Sequence, residues 1–395
     1  MILTNKQEQG LKLAVERYKN GESYTVISGY AGSGKTTLVK HIIEALNLDP
    51  EEEVCYVAYT GKAANVLRSK GNLNAKTLHK LIYKTEIRGN RYVSSLREEL
   101  EKPYKVIVLD EVSMIPQRMF EELLSFNVYI LACGDPGQLP PISGTQTLVI
   151  KKPHIFLDEI MRQAQESEII RLSMLVREGK ELPLMRGNDV MVLSPEELNE
   201  GMLLWADQVL CATNATKTLL NKQIRNSLGY DTDFVIGEKI ICQTNQWDTV
   251  TLGGTPLTNG TILTVDDITL TKLRYSSLTP VNPKQIPIAY INTSLEDNEK
   301  FFNLMLDYNG LITGKETFDI GSAIAIRKSR DKYDRWKVPV HFDYGYAITT
   351  WKAQGSEWNK VLLIEENHPF DKEEHIKYMY TGITRASEKL VIIKK

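Results

Sequence analysis

Residues 24–46 read YTVISGYAGSGKTTLVKHIIEAL, and the order of their parts decides the fold. A short apolar run, YTVISG, leads into a glycine-rich turn. KTTLVKHIIEAL follows, with apolar residues at the three- and four-residue spacing of a helix. Gly29-Tyr30-Ala31-Gly32-Ser33-Gly34-Lys35-Thr36 satisfies G-x-x-x-x-G-K-[ST] at that junction. The glycines let consecutive backbone N–H groups curl round phosphate oxygens, which also meet the positive end of the helix dipole. Lys35 is expected to reach the β- and γ-phosphates of a nucleoside triphosphate and the Thr36 hydroxyl to ligate Mg²⁺. Gly29, Ala31, Gly32, Ser33, Gly34 and Thr37 complete the expected nucleotide cradle.

Such a loop needs a carboxylate at the end of a neighbouring strand. YKVIVLDE (104–111) supplies Asp110 for the metal and Glu111 to polarise the attacking water. The next apolar run, VYILACGD (128–135), continues as PGQLPPI, where Gln138 is placed to bond the γ-phosphate and sense its loss. EVCYVAY (53–59) and GKAANVLRS (61–69) add a further strand and helix. Alternation of this kind means a parallel sheet covered by helices, with ligands at the carboxyl ends of its strands.

The chain has 395 residues, which allows two or three domains. Lys and Arg total 48 against 50 Asp and Glu, a formal charge of −2, so no global positive field attracts an anionic partner. Hydrophobic residues at 42% and charged ones at 25% are ordinary for packed cores and exclude disorder, collagen and coiled-coil arrays. MILTNKQEQG lacks the basic and apolar regions of a signal peptide, and no apolar run is long enough to span a membrane. Cys55, Cys133, Cys211 and Cys242 lie scattered in strand-like contexts without a CxxC, as expected of buried reduced thiols in a cytoplasmic protein.

The alternation breaks twice. In YKTEIRGNRYVSSLREELEKP (83–103), Gly89-Asn90 separates two short polar strands, a hairpin signal. From 254 to 340, Pro256, Pro280, Pro283, Pro287 and Pro339 punctuate β-rich runs such as TILTVDDITL and FDIGSAIAIR, which argues for a small antiparallel or barrel-like insert. QVLCAT (208–213), a helix at 214–228, EKIICQT (238–244), NKVLLIEE (359–366), a helix at 372–386 and KLVIIK (389–394) restore α/β alternation around it. The expected domains are 1–82 with 104–185, a hairpin insert at 83–103, 186–253 with 341–395, and a β-rich insert at 254–340.

With CGDPGQLPPI in place, the sequence resembles the RecD/Dda-like branch of superfamily 1 DNA helicases. TNKQ (4–7) is similar to the adenine-reading motif, with Gln7 offering a donor and an acceptor. YTGKAAN (59–65) and KTLHKLI (76–82) are similar to motifs that grip single-stranded DNA, and LDEIMRQ (157–163) to the segment carrying an arginine finger, here Arg162. YAITTWKAQGSEW (346–358) resembles the motif joining DNA grip to nucleotide, and YMYTGITRAS (378–387) the last motif, with Arg385 as a second finger. The sequence departs from the family pattern at Trp351, where His is common, and at Asn259-Gly260-Thr261, which keeps part of a glycine-richer signature. No long extension of the RecD kind precedes the first motif, so a subunit role in a large recombination complex is not expected.

The resemblance implies two RecA-like P-loop domains with parallel sheets, plus a β-hairpin insert and a small SH3-like β-barrel insert. It implies a monomeric, ATP- and Mg²⁺-dependent helicase moving 5′→3′ on single-stranded DNA in a bacterial or phage-infected cell, without membrane contact. Expected partners are DNA forks and a single-strand-binding protein or replisome component. Gly355 and Glu357 are implied at the nucleotide. Thr60, Lys62, Thr77, His79, Pro140, Thr349, Trp351 and Lys352 are implied at DNA, and Arg88, Gly89, Asn90, Arg91 and Tyr92 as a strand-separating pin. His79 and Trp351 read equally as packed core residues, and KSRDKYDRWK (328–337) as a solvated loop or an edge of the DNA channel. Two other activities are compatible: a translocase that displaces proteins without efficient unwinding, and a nucleotide-switched regulatory ATPase. Nothing in the sequence supports a nuclease or a small-molecule phosphotransferase.

Overall fold

The computed structural model describes residues 3–88, 91–140, 152–161, 166–230, 234–244, 246–252, 256–274, 285–296, 298–314, 338–367 and 371–395. Residues 1–84, 95–213 and 348–395 form one compact unit, and residues 85–94 with 214–347 form a second.

The first unit contains two sheets. One has strands β1 (Tyr24–Gly29), β2 (Val54–Ala58), β3 (Lys76–Thr77), β6 (Val106–Leu109), β7 (Tyr129–Gly134) and β8 (Ile155–Leu157), in the order β3-β2-β6-β7-β1-β8. Every neighbouring pair is parallel. Successive residues of a strand face opposite sides, so a sheet covered twice must be apolar at every position. Ile107 and Leu109 pack with Phe120 and Leu78 on one face, while Val106 and Val108 pack with Leu38 and Ile42 on the other. This is why VIVL reads as an unbroken apolar run. The order places β6, β7 and β1 side by side, so Asp110, Asp135 and the P-loop emerge together at the carboxyl edge.

The second sheet has β9 (Met185–Arg186), β10 (Val190–Leu193), β11 (Gln208–Cys211), β19 (Ala347–Thr349), β20 (Trp358–Ile364) and β21 (Ala386–Ile393), in the order β19-β11-β20-β21-β10-β9. β11, β20, β21 and β10 run parallel, and β9 is antiparallel at the edge. The helix Lys372–Ile383 buries Tyr378, Met379, Tyr380 and Ile383.

The second unit is β-rich. β4 (Tyr83–Arg88) and β5 (Arg91–Leu96), which begin and end in the first unit, form a two-stranded sheet. A five-stranded sheet runs β17-β16-β15-β12-β18, from β12 (Lys239–Cys242), β15 (Ile262–Arg274), β16 (Gln285–Ser294), β17 (Lys300–Leu306) and β18 (Phe342–Tyr344). A small ribbon pairs β13 (Gln246–Val250) with β14 (Pro256–Leu257). The bridge between Leu306 and Val340 returns the chain to β17, curling the five strands about Ile240, Leu263, Ile291, Phe301 and Phe342. One expectation is corrected here. EKIICQT does not continue the α/β alternation; β12 pairs antiparallel with β15 and β18. The helix Asn214–Ser227 belongs to the same unit. Arg225 on that helix is 7% exposed and bonds Glu238, which is fully buried; Tyr346 donates to the other carboxylate oxygen.

Candidate active site

The P-loop owes its shape to glycine at two points. Gly34 caps the helix Lys35–Ala45 at φ 80°, and a Cβ there would collide with the Gln7 amide. A Cβ at Gly29 would lie 2.6 Å from Ser33 Oγ and 2.8 Å from the Leu157 carbonyl. The Lys35 ammonium donates to the carbonyls of Gly29 at 2.7 Å and Tyr30 at 3.1 Å. Thr36 is exposed and Thr37 half-buried on the first turn. Gln7 is 1% exposed, and its Oε1 accepts from Thr4 N in a capping box. Its Nε2 donates to the carbonyls of Ser33 and Gly34, so Gln7, expected at the adenine, ties its helix to the phosphate loop.

Asp110 Oδ1 accepts from Glu111 N at 3.0 Å. Burial, with Glu111 beside it, pushes the Asp110 carboxyl up to about 6, while Lys35 pulls the other way. Glu111 has φ 54°, a left-handed conformation rare for a side chain of its size, and backbone strain of this kind clusters at working sites. Among the described residues, Glu111 Oε2, Ser33 Oγ and Gln138 Oε1 are buried without a hydrogen-bond partner. Such atoms are expensive to bury unless a ligand satisfies them.

Arg385 comes from the second sheet's half. It is 6% exposed and donates to the carbonyls of Thr381 and Ser356 and the hydroxyl of Thr384, each at 3.1 Å. All three partners are neutral, so its charge is not cancelled. A cavity of about 460 Å³ is lined by Lys35, Thr36, Asp110, Glu111, Gly355, Glu357 and Arg385, bringing together sequence positions 350 residues apart. Gln138, buried at the tip of β7, is not among the lining residues. Gly355 has φ 70°, and its Cβ would lie 2.9 Å from the Cβ of Ala63. Glu357 is exposed and pairs with Lys70 at 3.2 Å. Arg162 lies outside the described residues.

Sequence reasoning passed over Tyr380, although it lies inside the motif of Arg385. Its hydroxyl accepts from Ala31 N at 2.8 Å and donates to Asp135 Oδ2 at 2.7 Å. Thr381 Oγ1 accepts from Leu139 N, and Gln354 Nε2 donates to Leu139 O.

The expected DNA residues divide by role. Thr60 caps the helix Gly61–Ser69 by accepting from Ala63 N, and Thr77 caps Leu78–Ile82 by accepting from Lys80 N. Both hydroxyls hold local structure. Thr349 precedes the helix Thr350–Ala353 and makes no side-chain cap bond. His79 is half-buried against Tyr83 with ring centroids 4.5 Å apart, and burial lowers its pKa. Trp351 stacks on Tyr378 at 6.4 Å, while Lys352 and Pro140 are half-exposed. Lys62 lies on the helix Gly61–Ser69. Arg88, Arg91 and Tyr92 lie on β4 and β5, and Gly89 and Asn90 lie outside the described residues, as does KSRDKYDRWK.

The residues present fit a nucleoside triphosphate: a loop that a Cβ would fill, unpartnered buried oxygens, a lysine and an arginine. They also fit Mg²⁺, a hard cation that takes oxygen ligands and keeps waters and phosphates around one or two protein donors, here Thr36 and Asp110. Among the described residues no cluster of three or more His, Cys, Asp or Glu forms a separate metal site. All four cysteines are buried and none is in a disulfide, and no described helix is long and apolar enough to cross a membrane.

A P-loop on one parallel sheet and an arginine from a second define a P-loop NTPase of two sheets. Comparison with known proteins gives the same class. A family model described as an AAA domain matches residues 3–189, and a UvrD-like helicase C-terminal domain matches residues 344–393. The chain is 26% identical to the ATP-dependent DNA helicase dda of Enterobacteria phage T4, covering 97% of each chain. It is 27% identical to the ATP-dependent RecD2 DNA helicase of Deinococcus radiodurans, over 93% of this chain but 46% of the relative. Among solved structures, a Pif1 helicase described as unwinding forked duplex DNA superposes with a TM-score of 0.54 at 17% identity, covering 100% of this chain and 92% of the other. The Pif1 helicase from Bacteroides with ADP-AlF3 and single-stranded DNA gives 0.51 at 16% identity, covering 99% and 92%. At such identities the structural likeness bears on the fold. These comparisons support a superfamily 1 helicase of the RecD/Dda/Pif1-like group, and the curated relatives named above are ATP-dependent DNA helicases.

Proposed function

We propose that this chain is a motor that hydrolyses ATP to move 5′→3′ along single-stranded DNA and open duplex ahead of it. The observation that carries the reading is the single cavity lined by Lys35, Asp110 and Glu111 from one sheet's half and Arg385 from the other. Phosphoryl transfer spreads charge over the γ-oxygens, and an arginine aimed at them lowers the barrier by several kcal/mol, about a thousandfold or more in rate. Lys35 holds the phosphates and Glu111 orients the attacking water. Mg²⁺ held by Thr36 and Asp110 would neutralise phosphate charge. A site built from both halves is complete only when they close on ATP and relaxes after hydrolysis, which turns chemistry into relative motion.

DNA is assigned to a path along Thr60, Lys62, Thr77, His79, Pro140, Thr349, Trp351 and Lys352. Thr60 and Thr77, spent on caps, serve it by presenting helix N-terminal N–H groups to backbone phosphates. The hairpin tip at 88–92 is assigned the strand-splitting role and the β-rich unit the role of an SH3-like insert. The chain is proposed to act as a monomer in the cytoplasm of a bacterial or phage-infected cell, at forks where a single-strand-binding protein or replisome component meets it. Unwinding of duplexes carrying only a 5′ or only a 3′ overhang tests the reading. Opening of the 5′ substrate supports it, whereas preference for the 3′ substrate rejects the polarity. DNA-stimulated hydrolysis with neither substrate opened would instead indicate a translocase that does not unwind.

A further inference from the structure

We infer that Tyr380 is a positioning residue that couples the nucleotide state of the P-loop to the second sheet's half, an inference that rests on the motor reading above. Among the contacts described, its phenol touches both loops that flank the triphosphate site. The hydroxyl accepts from Ala31 N in the P-loop at 2.8 Å and donates to Asp135 Oδ2 at 2.7 Å. Tyr380 is 1% exposed and Asp135 2%, so neither bond competes with bulk water. The second oxygen of Asp135 accepts from Gly137 N at 2.9 Å, which shapes the turn that presents Gln138. A Cβ on Gly137 would lie 3.0 Å from the Tyr380 ring, so the turn and the ring are in close contact.

The two bonds respond differently to nucleotide. A phosphate entering the cradle offers the Ala31 N–H a charged acceptor in place of a phenol oxygen, and charge-assisted bonds are about twice as strong as neutral ones. The bond to Asp135 faces no such competitor. Filling the cradle therefore releases one side of the bridge while the other stays fixed. The phenol sits on the helix Lys372–Ile383, and Arg385 follows two residues after that helix, bonded to the Thr381 carbonyl. A change at the hydroxyl thus reaches the finger through one turn of backbone.

The test uses the full chain carrying Tyr380→Phe, which keeps the ring and removes the hydroxyl. The readouts are the stimulation of ATP hydrolysis by single-stranded DNA and the ratio of DNA affinities with a non-hydrolysable ATP analogue and with ADP. The expected result is a tenfold or greater loss of stimulation and a nucleotide-dependent affinity ratio collapsing towards one, with KM for ATP changed less than threefold. Tyr378→Phe is the control, since it removes a phenol hydroxyl from the same helix, one bonded to the Ile364 carbonyl, without touching the bridge or the finger. It should keep both readouts within threefold of wild type. If Tyr380→Phe does not fold, Asp135→Asn weakens the bridge from its other end and is read in the same way. Unchanged stimulation in the bridge variant, or equal losses in it and the control, overturns the inference. Absence of stimulation in the wild type instead overturns the motor reading.

Discussion

Arg385→Ala is the most informative single substitution at the site. The guanidinium donates three hydrogen bonds, to Thr381 O, Ser356 O and Thr384 Oγ1, and lines the cavity with Lys35 and Glu111. Truncation removes the finger's charge, and loss of such a finger lowers kcat by about 10³ or more. At about 1.4 kcal/mol per decade that is roughly 4 kcal/mol of transition-state stabilisation. Truncation also leaves the Ser356 carbonyl short of a donor, while Thr381 O keeps the Thr384 hydroxyl, a loss of about 1–3 kcal/mol in stability, so a modest drop in the thermal midpoint should accompany it. Arg385→Lys keeps a point charge without the planar fork and should recover about tenfold of the lost rate. The assay is steady-state ATP hydrolysis at saturating single-stranded DNA, with DNA binding measured separately. KM for ATP should stay within a few-fold, because the finger acts on charge that develops during transfer. A kcat for Arg385→Ala within tenfold of wild type would refute the assignment.

Three further substitutions probe other parts. Gly355→Ala forces a side chain into a left-handed backbone and places its Cβ against Ala63; the strain is about 1–2 kcal/mol before any clash, and DNA-stimulated hydrolysis should fall at least tenfold. Glu238→Gln leaves the buried Arg225 charge uncompensated, at about 3–5 kcal/mol, which should lower the melting transition of the β-rich unit by about 10 °C. Burial lowers the pKa of His79 from 6.5 despite the opposing pull of Glu122. The folded-state pKa is depressed, so this contribution to stability is present above about 6.5 and is lost as pH falls through the folded value. Thermal midpoints followed from pH 7.5 to 5 should fall less steeply in His79→Gln than in wild type, and parallel slopes would contradict the burial argument. A neutral His79 also releases no counterion, so the same variant should leave the salt slope of DNA binding unchanged.

The parts of the fold legible in the sequence are those whose signal is local. The P-loop announces itself because strand, glycines and helix adjoin within 23 residues, and Asp110-Glu111 because four apolar residues run straight into them. EKIICQT misled because a short apolar strand looks the same in a parallel and an antiparallel sheet; the pairing partner decides, and Ile241 meets its partner only at Ile262. Thr60 and Thr77 carried a readable cap signal, a threonine just before an apolar-periodic run, which the motif comparison overrode. Tyr380 had no such signal, since its two partners lie 245 and 349 residues away. The buried pair of Arg225 and Glu238 was hidden for another reason: each charge taken singly reads as solvated surface.

The formal charge of −2 bears on the same reading. A motor must release DNA at every step, so part of its grip should come from stacking and neutral hydrogen bonds, with a shallow salt dependence. The most direct test of the central claim is ATP hydrolysis measured with and without single-stranded DNA, in wild type, Lys35→Ala and Glu111→Gln. The account predicts strong stimulation in wild type and none in either variant, with DNA binding retained. Hydrolysis by the wild type that is indifferent to DNA would contradict it.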